Sequence, residues 1–123
     1  ASPADKYHEQ AKRLSRQIER EGVALVTSRA VLIEIGDAMA EGRTRHAGAT
    51  ILQALEEDEN LVIVQNNEDL YRRAFVLYKS RSDKEWGMTD CISFIVMTSE
   101  KITQALTTDA HFQQAGFTAL MRE

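Results

Sequence analysis

Three carboxylates in this sequence stand where ordinary surface charges are not expected. Glu34 lies in Val31-Leu32-Ile33-Glu34-Ile35, flanked by aliphatic residues, and at helical spacing it shares a face with Ala30 and Ala38. Burying a carboxylate there costs on the order of several kcal/mol unless a cation compensates, either a neighbour such as Arg29 or a bound ion. Asp90 opens the most apolar stretch of the chain, residues 88–99, where a helix N-terminus favours an anion. Asp109 directly follows the apolar stretch 102–107, at the carboxyl end where open α/β sheets place their sites. Taken singly, Asp90 and Asp109 read equally well as caps, the latter for the turn Ala110-His111-Phe112. Taken together, three acids on separate elements suggest one shared cation site at an edge of the sheet.

Clustered carboxylates repel one another and need a hard divalent ion between them. Ligands that are all oxygen select Mg²⁺ or Mn²⁺ over zinc, and such an ion can activate water against a phosphodiester. No CxxC, HExxH, phosphate-binding loop or GxGxxG competes with this reading. His8 and His46 read as exposed helix residues, and His111 as a structural residue of its turn. In the loop Lys79-Ser80-Arg81-Ser82-Asp83-Lys84-Glu85-Trp86, the cations Lys79, Arg81 and Lys84 suit a phosphate-contacting rim. Asp83 could support the metal through water. The same loop reads as readily as a solvated turn with Trp86 packed inward.

Composition bounds these possibilities. With 43% apolar and 28% charged residues, the 123-residue chain has the balance of one globular domain spanning residues 1–123. No apolar run approaches the roughly 18–20 residues of a membrane span, and no basic-then-apolar leader is seen. The lone Cys91 allows no internal disulfide and fits a buried thiol in a reducing cytoplasm. A net charge of −4 runs against gripping nucleic acid by bulk electrostatics. Contact with RNA would rest on a local patch and on metal ions.

The acids must be carried by regular elements, and helices are expected at residues 5–21, from 28 to about 40, 45–57, from 66 to about 78, and 88–99. In the first, Tyr7, Ala11, Leu14 and Ile18 share a face, and Gly22 stands at its C-terminus. Thr27 and Ser28 are expected to end a strand and cap the second helix, and Gly42 to break the pattern after it. Strands are expected at 23–26, 61–64 and 102–107, with a short last one at 117–121. The run Leu61-Val62-Ile63-Val64 suits a parallel strand covered on both faces. Strand and helix alternate, which predicts an α/β fold with a mostly parallel central sheet flanked by helices. Val62, Val64, Phe94, Ile95 and Leu106 are the expected core.

At this level of detail the sequence resembles PIN domains, specifically the VapC-like branch. The segment Ser82-Asp83-Lys84-Glu85-Trp86-Gly87-Met88-Thr89-Asp90-Cys91-Ile92-Ser93-Phe94 looks like that family's third-acid region. Ala105-Leu106-Thr107-Thr108-Asp109-Ala110-His111-Phe112, with Ala115-Gly116-Phe117 behind it, resembles the fourth. Val26-Thr27-Ser28 leading through Val31-Leu32 to Glu34 is similar to the second, and Asp5, Tyr7, His8 and Ala11 to the first helix.

The resemblance implies a three-layer PIN fold and a metal-dependent endoribonuclease, commonly the toxin of a toxin–antitoxin pair. It implies Mg²⁺ or Mn²⁺ held by Glu34, Asp90 and Asp109, an RNA substrate and a cognate antitoxin; homodimers are common in the resembled family, and the oligomeric state of this chain stays open. The family's first strand and first acid lie upstream of the Asp5–Ala11 match, and this sequence contains neither. The expectation for this chain by itself is therefore weak cleavage or none. A reading from another class is a PIN-like interaction module that no longer catalyses. An unrelated flavodoxin-like binding domain lacks the phosphate loop it would need.

Overall fold

The computed structural model describes residues 3–122, with side chains from residue 9 onward. Tyr7, and the Asp5 and His8 of the family resemblance, lie outside the side chains described. In chain order the elements are α1 (Pro3–Glu21), β1 (Leu25–Ser28), α2 (Arg29–Ala38), α3 (Gly42–Glu57), β2 (Leu61–Val64), α4 (Glu68–Ser80), α5 (Met88–Ser99), β3 (Gln104–Ala105), α6 (Ala110–Gln114) and β4 (Thr118–Ala119). They fall into two compact units, one of Ala1–Ala24 with Thr103–Glu123 and one of Leu25–Ile102.

In the Leu25–Ile102 unit, β1 and β2 pair in parallel, Leu25 opposite Leu61 and Ser28 opposite Val64. Parallel pairing requires a long crossover, which α2 and α3 supply. Ser28 ends β1 and caps α2, its Oγ accepting the Val31 N–H at 3.3 Å. Asn67 does the same for α4, accepting from the Leu70 N–H at 2.8 Å. Helix α5 packs against α4, α2 and β1. It buries Cys91, Ile92, Phe94, Val96 and Met97 against Leu70 and Ala74 of α4 and Ala30 and Leu32 of α2. Trp86, just ahead of α5, is also buried and meets Phe94 edge to face at 5.0 Å. Such a pair adds about 0.5–1.5 kcal/mol beyond its area.

In the other unit, β3 and β4 also pair in parallel, Gln104 opposite Thr118 and Ala105 opposite Ala119, with α6 between them. Helix α1 closes on Gly22 at φ 63°, where the Val23 N–H reaches back to the Ile18 carbonyl at 3.2 Å. Helix α6 closes the same way on Gly116 at φ 96°, with the Phe117 N–H donating to the Phe112 carbonyl at 2.9 Å. Positive φ is the reason glycine serves at both turns.

The class is α/β and every described strand pairing is parallel, as the alternation predicts. Several details differ. The first strand starts two residues later than expected, because the closing turn of α1 takes up Gly22 and Val23, and Val23 is exposed. Thr27 consequently lies inside β1. Gly42 opens α3 instead of interrupting the pattern. The strands expected at 102–107 and 117–121 shrink to two residues each.

The core differs as well. Only Phe94 of the five expected residues is fully buried; Val64 and Ile95 are half-buried, and Val62 and Leu106 are 54% and 44% exposed. Alternate residues of a strand face opposite sides, and at Val62 the side away from Leu61 and Ile63 is uncovered. Leu106 lies beyond the last paired residue of β3.

Gly48 is the buried residue of α3, and a Cβ there would stand 2.9 Å from the Cβ of Met39. Met39 cannot rotate its own Cβ aside, so Gly48→Ala forces a backbone shift. Over-packing costs about 1–3 kcal/mol, against a helix-propensity gain of about 1 kcal/mol. Urea unfolding should therefore show Gly48→Ala neutral to about 2 kcal/mol destabilised. Gly42→Ala, which meets nothing within 4 Å, should not lose stability. A Gly48→Ala protein more stable than the parent would contradict the packing.

Candidate active site

The first N–H groups of a helix have no partner inside it. At α5 the answer is Asp90, in the first turn, whose Oδ2 accepts the Gly87 N–H at 3.1 Å. The side chain is half-buried at the entrance of the most deeply buried helix. A carboxylate has two oxygens and about four lone-pair sites, so this bond does not exhaust it. The next residue, Cys91, is fully buried. Burial, and secondarily the charge of Asp90, push its thiol above the ordinary value, which makes it an inert core residue.

Asp109 is built by hydrogen bonds more than by packing. It caps α6, with Oδ1 accepting the His111 N–H at 2.9 Å, and its own N–H donates to Thr107 Oγ1 at 3.0 Å. The approach to it is tied down twice. Arg122 donates to the Thr108 carbonyl at 3.0 Å, and the Met121 N–H to the Thr107 carbonyl at 3.1 Å. His111, set aside from sequence as a turn residue, brings Nδ1 to 3.5 Å from Asp109 Oδ1. Both side chains are partly accessible. The signal that could have drawn attention to it is the Asp-X-His spacing across the first turn of a helix.

Glu34 differs from expectation. It is exposed on α2, so no desolvation cost demands a compensating cation there. Aliphatic neighbours in sequence do not bury it, because the helix turns Leu32 inward and Ile33 and Glu34 outward. Arg29, the alternative partner, instead pairs with Glu56 and donates to Gln65 at 3.5 Å. Glu34 shares a unit with Asp90, yet among the described residues the two join no common group of candidate metal ligands.

In the loop ahead of α5, Trp86 is packed inward. Arg81 lies over its ring at 5.0 Å and donates to both oxygens of Asp83, at 3.0 and 3.1 Å. Lys84 Nζ is 3.9 Å from the same carboxylate. Asp83 is thus engaged by cations of its own loop. Lys79 is exposed, its ammonium 4.9 Å from the Phe75 ring.

The Arg81 hydrogen bond holds the Asp83 carboxyl below the usual carboxylate range, with the nearby charges adding to it. A depressed folded value means that the contribution to stability is present above the unfolded value. It is lost as pH falls through the folded one. In an NMR titration Asp83 should titrate below an unstructured Asp, and Arg81→Gln should move it back up. An unmoved Asp83 in that variant would refute the assignment.

No protein-family model and no curated protein matches the chain. Among solved structures it is similar to VapC20 of Mycobacterium tuberculosis, a sarcin–ricin loop cleaving toxin, at 27% identity and a TM-score of 0.79. The match covers 90% of this chain and 82% of that one. A likeness of that extent gives the chain a PIN-like fold similar to that of a VapC toxin, in line with the resemblance of its acid-bearing segments.

Proposed function

We propose that the chain is the toxin of a toxin–antitoxin pair, an endoribonuclease that cleaves RNA phosphodiester bonds with Mg²⁺ or Mn²⁺. The likeness to VapC20 carries this reading. In it, residues 1–123 act as one PIN domain. The donor chemistry fits a divalent ion: Asp90 and Asp109 are half-buried carboxylates, each with one oxygen fixed by a backbone N–H. We assign them, with Glu34, to the ion. When bound, it would activate water and take up charge at the scissile phosphate. Asp90 and Asp109 would hold it as preset ligands whose orientation the first turns of α5 and α6 dictate. Exposed Glu34 is less constrained, so its loss should cost less.

Lys79, Arg81 and Lys84 are assigned to the RNA backbone. Arg81, clamped between Asp83 and Trp86, presents a fixed charge, while Lys79 is exposed beside the Phe75 ring. Asp83 serves that clamp, which leaves it out of the proposed ligand set. An RNA of the sarcin–ricin loop type is the first substrate to test, because VapC20 acts there. The further partners of this reading are a cognate antitoxin and a second copy of the chain, and its compartment is the cytoplasm. No helix among the described residues is long and apolar enough to cross a membrane.

The test is cleavage of a labelled sarcin–ricin loop hairpin, and of varied single-stranded RNAs, with each metal and with EDTA. Asp90→Asn and Asp109→Asn keep a capping oxygen but lose the charge, so the fold should survive. Cleavage should fall by about 100-fold or more, roughly 2.7 kcal/mol of transition-state stabilisation. Glu34→Gln should lose less. Cleavage that persists in EDTA or in both Asn variants would overturn the reading.

A further inference from the structure

We infer that His111 is a nitrogen ligand of the ion held by Asp109 and biases that site towards Mn²⁺ over Mg²⁺, an inference that rests on the metal-dependent reading above. The observation is local to one turn. The Asp109 cap is satisfied by the His111 backbone N–H at 2.9 Å, and capping needs nothing from the imidazole. The ring nevertheless lies alongside, with Nδ1 3.5 Å from the oxygen that accepts the backbone bond. That separation is longer than a good hydrogen bond.

As a half-exposed ion pair the contact would contribute about 0–1 kcal/mol. The two donor atoms are instead placed side by side on a segment that cannot easily separate them. Thr107 holds the Asp109 N–H, Arg122 holds the Thr108 carbonyl, and α6 sets the two-residue spacing. A carboxylate oxygen and an imidazole nitrogen in that relation form a mixed pair. Mg²⁺ takes oxygen ligands almost exclusively, whereas imidazole suits transition-metal ions. An all-carboxylate site would bind both ions alike. Adding His111 makes the site prefer Mn²⁺.

The experiment uses Mn²⁺ as the probe on the whole chain, read by pulsed electron paramagnetic resonance and by direct titration. Mn²⁺ on the parent protein should show coupling to a directly bound ¹⁴N. The H8Q/H46Q protein, in which His111 is the sole remaining histidine of the three, should keep that coupling. H111Q should lose the coupling and bind Mn²⁺ about tenfold or more weakly. Its Mg²⁺ affinity should stay within about threefold.

Absence of nitrogen coupling in the parent, or in H8Q/H46Q, overturns the inference, as does unchanged Mn²⁺ affinity in H111Q. Should H111Q fail to fold, the H8Q/H46Q spectrum decides alone. Asp109→Asn separates the two levels of the argument. If that variant binds Mn²⁺ as the parent does, the metal site itself is misplaced. If it loses Mn²⁺ while the parent shows no nitrogen coupling, the site stands and the His111 role fails.

Discussion

Burial of α5 is the constraint on which its unit depends. Five of its side chains, Cys91, Ile92, Phe94, Val96 and Met97, are removed from water, and fully burying such a side chain contributes about 1.5–3 kcal/mol. A helix enclosed by α4, α2 and β1 cannot slide or rotate without opening that contact. Its first turn is therefore fixed, and Asp90 with it. Trp86 extends the same core one step upstream through Phe94, so the loop carrying Arg81 and Asp83 is anchored to the helix that carries the acid. Position comes from apolar packing, and chemistry is added at the end of the packed element.

Asp109 reaches a fixed orientation by a different route. Helix α6 has five residues and buries none of them, so packing alone cannot set its first turn. Hydrogen bonds do so instead: the Asp109 N–H donates to Thr107 Oγ1, the His111 N–H to Asp109 Oδ1 and Arg122 to the Thr108 carbonyl. In the proposed function, capping and ligation would be complementary roles for both acids. The backbone N–H that satisfies a helix end takes one carboxylate oxygen and orients the other. The structural reading and the chemical reading of these residues, which compete when only the sequence is considered, describe two ends of the same side chain.

The sequence made the element types and their order legible because the apolar periodicities are strong: 3.6-residue stripes for α1, α4 and α5, and an uninterrupted aliphatic run for β2. Parallel pairing followed from the alternation. What it could not convey was coverage. A run such as Leu61-Val62-Ile63-Val64 does not reveal that one face is open at Val62, because that depends on which helices pack there. The same blindness misplaced Glu34. Flanking aliphatics suggested burial, but a helix turns by about 100° per residue, so sequence neighbours do not share an environment. Asp90 and Asp109 were legible because their signals are local, an acid at the start of a helix. The approach of His111 to the side chain two positions back is not legible in the same way, since a short polar turn hides that pairing among ordinary surface residues.

The acidic balance of the chain sets the terms on which it could meet RNA. With a net charge of −4, long-range attraction is absent, and gathering two or three of those carboxylates at the proposed site would make the local field more repulsive. In the proposed function a bound divalent ion would neutralise most of that charge and so serve affinity as well as chemistry. The proposed basic rim would complement it without altering the balance elsewhere. Arg81 is held in one orientation by a two-oxygen bond to Asp83 and by the Trp86 face, so little conformational entropy remains to be lost when a phosphate arrives. The cost is that Asp83 neutralises part of the charge that Arg81 presents. In the proposed function a rim of this kind would contribute orientation more than attraction.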